Sequence, residues 1–149
     1  MSDTTSEAHG TFGRATPIFC VSSVAASIEH YVNVLGFKVD WGGAEDQFAS
    51  ISRGDCRIFL CEQDQGHPGT WTWIGVGDAD SLAAELGTKG AKIRHPPTNY
   101  PWAYEIQVED PDGNVLRFGS EPKQGPFGSF LDMHGRLWPL SQGSTTVCE

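Results

Sequence analysis

The sequence lacks the features that mark membrane, secreted and nucleic-acid-binding proteins. No apolar run approaches the roughly 18 residues that a membrane-spanning helix needs. Residues 1–10 are polar and acidic and contain no basic segment followed by an apolar one, so we expect no secretion signal and a cytoplasmic location. Basic residues are scarce, with 10 Lys and Arg against 19 Asp and Glu. The resulting formal charge of -9 disfavours nucleic acid and anionic membranes as partners and favours cationic ones.

Motifs of covalent catalysis are missing as well. The four cysteines, Cys20, Cys56, Cys61 and Cys148, have no Cys-x-x-Cys spacing, and in a reducing compartment we expect free thiols. A nucleophilic Cys61 would need a nearby base, and His67 is the one candidate in the sequence, so we disfavour this reading. There is neither a Gly-x-Ser-x-Gly motif nor a glycine-rich phosphate loop.

The most informative pattern that is present is an internal repeat. Residues 18–28 and 73–82 each contain a short apolar strand, a turn of small polar residues and the start of an amphipathic helix. The first helix is predicted to begin at Ser22 or Ser23, because a serine hydroxyl can accept from the free amides of the first turn. By the same argument the second begins at Asp78 or Asp80. Glycines at positions 36 and 90 suit the helix ends.

The repeat predicts an α+β fold. We expect two tandem βαβββ modules, residues 15–63 and residues 71–121, joined by a Gly- and Pro-rich linker. Side by side they would form one curved mixed sheet with a concave cleft and the helices outside, and the seam between two modules is a natural ligand site. The predicted strands cover residues 17–21, 37–41, 48–52, 56–62, 71–76, 91–94, 104–109 and 114–119, with an irregular loop at His95-Pro96-Pro97.

Two segments lie outside the repeat. Residues 1–14 are predicted to be a mobile N-terminal tail. Residues 122–149 form a C-terminal extension that carries too many large apolar side chains to remain in water. We expect this extension to dock either over the cleft or on a partner subunit, with a short helical turn at residues 129–134.

The organisation resembles the vicinal-oxygen-chelate superfamily, which includes glyoxalase I, extradiol dioxygenases, fosfomycin-resistance enzymes and bleomycin-resistance proteins. The resemblance covers about residues 15–121 and rests on Leu-Gly-Phe at 35–37 and on Asp-Pro-Asp-Gly-Asn at 110–114. Pro-Trp at 101–102 followed by Glu105, with the aromatic-rich strand that starts at Trp71, is most similar to the bleomycin-resistance branch. Ala103 and Tyr104 depart from that branch's Pro-Trp-Gly-Arg-Glu pattern.

The resemblance also bears on metal binding. Enzymes of the superfamily hold a divalent metal with His and Glu or Gln from four inner strands, because such cations need several converging N or O donors. Motif matching places those positions here at or near Thr16, Phe59, Trp71 and Arg117, which offer at best one weak ligand. The five histidines are scattered elsewhere without ligand spacing. We therefore expect no metal, no other cofactor and no catalytic residue.

Aromatic and acidic side chains are what the predicted cleft retains. Flat apolar rings favour stacking with heteroaromatic ligands and attract cations, and Asp46, Glu62 and Glu105 could add negative charge. Some of these rings could instead belong to the core or to a dimer contact. The predicted ligand-binding residues are Trp41, Phe48, Phe59, Cys61, Asp64, Trp71, Trp73, Trp102 and Tyr104.

We expect a binding protein without turnover that sequesters a bleomycin-type cationic glycopeptide antibiotic. The resemblance implies a homodimer with two clefts at the subunit interface, formed by exchange of the first strand region. One alternative is a metal-dependent glyoxalase- or dioxygenase-type enzyme of the same fold. Another is a binding protein for a different aromatic metabolite.

Overall fold

The computed structural model describes residues 10–62 and 64–139 and contains two similar four-stranded halves. Cys148 and most of the predicted N-terminal tail lie outside these residues. The helices are α1 (Val24–Asn33) and α2 (Ala79–Thr88). The strands are β1 (Ile18–Val21), β2 (Lys38–Gly43), β3 (Phe48–Arg53), β4 (Cys56–Glu62), β5 (Trp71–Gly75), β6 (Lys92–Asn99), β7 (Tyr104–Glu109), β8 (Val115–Ser120), β9 (Phe130–Leu131) and β10 (Leu137–Trp138).

The two modules repeat one topology. The first sheet has the order β1-β4-β3-β2 and the second has the order β5-β8-β7-β6. In each sheet the first strand pairs in parallel with the last, and the other pairs are antiparallel. The predicted α+β class with tandem βαβββ modules is confirmed. The mixed sheet is divided into two four-stranded hydrogen-bonded units.

A side-chain cap marks the start of each helix, and a glycine with positive φ follows its end. The Ser23 hydroxyl accepts from the Ala26 amide at 3.1 Å, and the Asp78 carboxylate accepts from the Ser81 amide at 3.1 Å. Downstream of the helices, Gly36 and Gly90 adopt φ values of +74° and +80°, which favour glycine. Neither described helix is long and apolar enough to cross a lipid bilayer.

Alternation along the strands separates a core from an inner face, by which we mean the sheet face turned away from the helices. Phe19, Ile51 and Ile58 are fully buried on the helix side of the first sheet. Ile106 and Leu116 are fully buried on the helix side of the second sheet and belong to the same core cluster. One core therefore extends across both modules.

Strand β6 is longer than the sequence predicts. We expected a strand at 91–94 followed by an irregular loop, but β6 continues through Pro96 and Pro97 to Asn99. Strand β6 lies at the edge of its sheet, where prolines are tolerated because they interrupt no hydrogen bonds between two interior strands. Its pairing with β7 shifts register around His95.

The C-terminal extension forms a hairpin instead of the predicted helical turn at residues 129–134. Strands β9 and β10 pair antiparallel across a turn that Asp132 organises and in which Gly135 takes φ +76°. The Asp132 carboxylate accepts from the amides of His134 and Arg136, at 2.8 and 2.9 Å. Of the two expected docking places, the described part of the extension packs on the inner face of module two of its own chain, through Phe130.

Candidate ligand-binding site

Three aromatic rings form an exposed cluster on the inner face of module one. Phe48 and Phe59 lie on neighbouring antiparallel strands, and their ring centroids are 5.4 Å apart. Trp41 stacks on Phe48 at 5.7 Å with an interplanar angle of 8° and lies 5.4 Å from Phe59. Trp41 remains 50% exposed, so this module-one ring cluster offers a flat aromatic surface to solvent.

A β-bulge directs Trp41 to this face. The pairing of β2 with β3 shifts between Val39 and Trp41, so that Trp41 faces Ser50. The extra residue, Asp40, accepts hydrogen bonds from the Ser50 and Ser52 hydroxyls at 3.1 and 2.7 Å. These bonds fix the bulge and hold the pKa of the Asp40 carboxyl below its usual range.

Cys61 and Asp64 adjoin the module-one ring cluster. Cys61 is 3% exposed, and its Sγ donates to Asp64 Oδ1 at 3.2 Å. Burial, with the Asp64 carboxylate as a smaller cause, raises the pKa of the Cys61 thiol. A protonated thiol is a poor nucleophile, and whether Cys61 contacts a ligand stays a prediction.

A buried carboxylate organises the inner face of module two. Glu105 is 1% exposed and accepts from the indole Nε1 of Trp73 at 2.8 Å and of Trp102 at 3.0 Å. Arg117 Nη2 donates to the same carboxylate at 2.6 Å. We call these four residues the Glu105 cluster. It fixes the two indoles by hydrogen bonds and neutralises the charge of Glu105.

A glycine allows Trp73 to lie across the neighbouring strand. Trp73 is 51% exposed, and a Cβ on Gly119 would come within 2.5 Å of its ring. The indole therefore needs a residue without a side chain at that point of β8. A pocket of about 420 Å³ lies here, lined by Trp73, Gly75, Val76, Gly77, Trp102, Ala103, Gly119, Ser120, Glu121 and Pro122.

The C-terminal hairpin covers Trp71, the other predicted tryptophan of β5. The Phe130 ring lies 6.4 Å from it, and the Arg94 guanidinium lies 4.6 Å from its ring centroid. Phe130 is 5% exposed and also contacts the Tyr100 ring at 5.5 Å. The sequence predicted Trp71 as a ligand-binding residue and an extension that docks over the cleft or on a partner, but strand alternation alone does not reveal that the extension covers Trp71.

Tyr104 is not brought together with the other predicted site residues. Strand β7 starts at Tyr104, so alternation sends its ring to the helix side while Glu105 faces inward. The Tyr104 hydroxyl donates to Asp80 Oδ1 at 2.6 Å, and the Lys123 ammonium lies 4.0 Å from the ring centroid. Hydrogen bonding to Asp80 raises the pKa of Tyr104.

The predicted acidic residues have different environments. Glu105 is paired with Arg117, and Glu62 accepts from the Val24 amide at 2.8 Å at the start of α1. Asp46 and Asp64 are exposed on the side of module one. Of these four acids, the exposed ones therefore belong to module one, whereas in module two Arg94 and Arg117 lie over the rings of Trp71 and Phe130. Sequence reasoning missed Arg94 and Arg117 as parts of the aromatic surfaces.

The four positions that the resemblance assigned to metal ligands contain no ligand set. Phe59 and Trp71 belong to aromatic contacts, and Arg117 is bonded to Glu105. Among residues 10–62 and 64–139, no group of three or more His, Cys, Asp and Glu side chains could hold a metal ion.

Comparison with known proteins agrees with this geometry. The model of the Glyoxalase/Bleomycin resistance protein/Dioxygenase superfamily matches residues 12–118. Among curated proteins no relative matches the chain. The bleomycin-binding protein from bleomycin-producing Streptomyces verticillus, solved with copper(II)-bleomycin, is 29% identical, with 74% of this chain and 97% of that chain covered and a TM-score of 0.64.

Two further structures share the fold at lower identity. TnmS3, an antibiotic-binding protein from Streptomyces sp. CB03234, is 21% identical, with 76% of this chain and 99% of that chain covered and a TM-score of 0.59. TioX from Micromonospora sp. ML1 is 18% identical, with 73% and 99% covered and a TM-score of 0.61. At these identities both show the fold alone. The repeated topology and the family match together establish that this chain belongs to the Glyoxalase/Bleomycin resistance protein/Dioxygenase superfamily.

Proposed function

We propose that this protein binds and sequesters a bleomycin-type cationic antibiotic in the cytoplasm without chemical turnover. The observation that carries the proposal is the module-one ring cluster, because the half-exposed Trp41 ring stacked on Phe48 at the inner face of a sheet is a binding surface for flat heteroaromatic groups. The relative that was solved with copper(II)-bleomycin supports this choice of ligand. Resistance would arise by mass action, since each bound drug molecule is withheld from its target.

The distribution of charge gives the ligand an orientation. Asp46 precedes Phe48 by two residues, Asp64 accepts from Cys61, and both are exposed, so we expect the cationic part of the drug on this side of module one. In module two the Glu105 charge is compensated by Arg117, and the indoles of Trp73 and Trp102 are held in place for ring contacts.

We propose a homodimer because one chain leaves its two aromatic surfaces apart. No ring contact or hydrogen bond joins the module-one ring cluster to the Glu105 cluster within the part of the chain that the structure describes. A second copy that places its module one opposite module two of the first would close a cleft between them. Sedimentation analysis should give twice the monomer mass, and a monomer that still binds the drug would rule out this arrangement.

Calorimetric titration with metal-free bleomycin tests the function. We expect one drug molecule per site and an affinity that added Mn²⁺, Ni²⁺ or Zn²⁺ does not change. Trp41→Ala should weaken binding by about tenfold, the loss typical of a central aromatic contact. Phe127→Ala is the matched control, because Phe127 is 58% exposed and lies outside both aromatic surfaces.

Three results would contradict the proposal. If Trp41→Ala and Phe127→Ala bind bleomycin with equal affinity, the module-one ring cluster is not part of the binding site. Metal-dependent turnover of a hemithioacetal or a catechol would favour an enzyme. Binding of unrelated aromatic compounds without binding of bleomycin would favour another metabolite as ligand.

A further inference from the structure

The two modules have equivalent positions on their inner faces. Trp41 and Phe59 pair with the same residue of β3, from β2 on one side and β4 on the other. His95 and Arg117 pair in the same way with one residue of β7, from β6 and β8. In both modules the edge strand reaches this position directly after a register shift. His95 and Arg117 are therefore the module-two counterparts of Trp41 and Phe59.

This position is open in module one and filled in module two. Trp41 is 50% exposed, whereas the module-two position is covered by Phe130 of the C-terminal hairpin, which is 5% exposed. The Phe130 ring centroid lies 6.3 Å from that of His95 and 5.1 Å from the Arg117 guanidinium carbon. It also lies 6.4 Å from the Trp71 ring. We call the surface formed by Trp71, His95 and Arg117 the module-two face, and an aromatic side chain of the same chain occupies it.

The hairpin that carries Phe130 lies outside the superfamily domain. The family match ends at residue 118, and β9 and β10 both follow it. Each of these strands is two residues long, and the side chains of Leu131, Met133 and Leu137 are more than half exposed. Arg94 Nη2 donates to the Leu131 carbonyl at 2.8 Å. Because the hairpin leaves these apolar side chains in water, its attachment to module two depends strongly on Phe130.

Closure of the hairpin leaves two hydrogen-bond donors unsatisfied. Trp71 Nε1 and Arg117 Nε are inaccessible to solvent and have no partner among the described residues. A buried donor without a partner is unfavourable, whereas water that enters when Phe130 leaves can accept from it. The gain from burying the Phe130 ring is thus opposed within the same contact. This balance favours a hairpin that opens locally while the domain stays folded.

We infer that the C-terminal hairpin is an autoinhibitory element, in which Phe130 is an internal occupant that a ligand must displace from the module-two face. The inference rests on the proposed function for its ligand, because the module-two face is the counterpart of the module-one ring cluster. A ligand that binds only the open form has its apparent affinity reduced by the fraction of open molecules. Ligands whose contacts on this face are no better than those of Phe130 are therefore disfavoured.

Titration of the full chain with metal-free bleomycin tests the direction of the effect. Phe130→Ala should raise the affinity about fivefold, because loss of the ring shifts the hairpin towards the open form. If Phe130 were instead a wall of the site, the same change would weaken binding. Phe127→Ala is the matched control, since Phe127 is 58% exposed on the same extension. Bleomycin binding to Phe130→Ala that is equal to or weaker than binding to wild type would overturn the inference.

An engineered disulfide tests the opposite change, a hairpin held closed. A Cβ on Gly128 would lie 3.8 Å from the Thr98 Cβ, the usual separation across a disulfide. The double variant Thr98→Cys/Gly128→Cys therefore ties the start of the hairpin to β6 when oxidised. Oxidation should weaken bleomycin binding about fivefold, and dithiothreitol should restore it. Thr98→Cys alone is the control for oxidation of the other thiols, and an affinity that is the same in the oxidised and reduced double variant would contradict autoinhibition.

A second probe separates this inference from the proposed function. Acridine is a flat heteroaromatic compound that is uncharged at neutral pH, and the ¹⁵N NMR signal of the Trp71 indole N–H reports its arrival at the module-two face. The signal should shift at lower acridine concentrations in Phe130→Ala than in wild type or Phe127→Ala. If bleomycin binds to none of these proteins while acridine gives this pattern, the proposed function is wrong and the autoinhibitory contact stands. If the Trp71 signal responds equally in all three, or in none, Phe130 does not guard a ligand face.

Discussion

The Tyr31 hydroxyl donates a buried 2.9 Å hydrogen bond to Asp110 Oδ2, which joins α1 of module one to the β7–β8 turn of module two. Asp110 also accepts from the amides of Asp112 and Asn114, both at 2.9 Å, so the carboxylate that receives Tyr31 is fixed by its own turn. Asn114 Nδ2 then donates to the Cys20 carbonyl at 3.2 Å. The Asp-Pro-Asp-Gly-Asn turn is thus part of the joint between the modules.

Replacing Tyr31 by Phe should lower the free energy of unfolding by about 1–3 kcal/mol, because a buried acceptor loses its donor. Burial, reinforced by Asp110, raises the pKa of Tyr31 well above its ordinary value of 10.0. A raised phenol pKa gives stability that is present below pH 10 and is lost as the pH rises beyond it. Urea midpoints at pH 8 and pH 10.5 should therefore show a smaller difference between wild type and Tyr31→Phe at the higher pH.

Glu105→Gln should destabilise the protein by about 3 kcal/mol, because it leaves the Arg117 charge and two indole donors facing an amide. Glu109→Gln is the matched control on the same strand, since Glu109 pairs with the exposed Lys92 and only at 3.9 Å with Arg94. This variant should lose less than about 1 kcal/mol of unfolding free energy. Urea unfolding followed by tryptophan fluorescence measures both. Similar losses would show that the Glu105 cluster adds little to stability.

Gly119→Ala should displace the Trp73 indole from Glu105, because the new Cβ would lie 2.5 Å from the ring. Crowding of this kind is unfavourable by about 1–3 kcal/mol. Gly75→Ala places a Cβ 3.5 Å from the same ring, an ordinary contact, and should leave the Trp73 indole N–H signal in place. If the Trp73 indole N–H signal has its wild-type NMR position in both Gly119→Ala and Gly75→Ala, then Gly119 is not needed to place this indole.

The C-terminal hairpin should open in acid. The hydrogen bond from Trp138 Nε1, at 2.9 Å, and those from the turn amides lower the pKa of Asp132 far below its ordinary 3.8. A lowered carboxyl pKa gives stability that is present above pH 3.8 and is lost as the pH falls below it. Exchange of the Trp138 indole proton should accelerate over that range and, in Asp132→Ala, already at pH 6. In the control Leu137→Ala, the Trp138 indole proton should exchange at the wild-type rate. A Trp138 indole that stays protected in Asp132→Ala would show that Asp132 does not hold the hairpin closed.

Local chemistry made most of the fold predictable. Ser23 and Asp78 were among the expected helix starts, and the repeat predicted both modules because each strand–helix unit has its own period and turns. The length of strand β6 was underestimated because Pro96 and Pro97 predict a loop. Prolines are compatible with an edge strand, but the sequence does not show that β6 lies at the edge of its sheet. The hairpin of β9 and β10 was missed because its strands are only two residues long and its contacts with Trp71 are distant in sequence.

The candidate site was less predictable than the fold. Alternation correctly placed Phe48, Phe59 and Trp73 on the inner face, whereas Tyr104 is turned away because its neighbour Glu105 faces inward and consecutive residues of a strand point to opposite faces. The pairing of Glu105 with Arg117 joins neighbouring strands and depends on side-chain rotamers. The sequence could identify an acid on that strand but not the cation that neutralises it.

The proline pair in β6 has a consequence for how molecules of this protein behave at high concentration. An edge strand with free amides can recruit the edge of another molecule, and the adjacent residues Pro96 and Pro97 remove a donor from that edge. Growth of the second sheet by addition of strands is therefore disfavoured on its β6 side. High concentrations of the protein therefore carry less risk of ordered aggregation from that side.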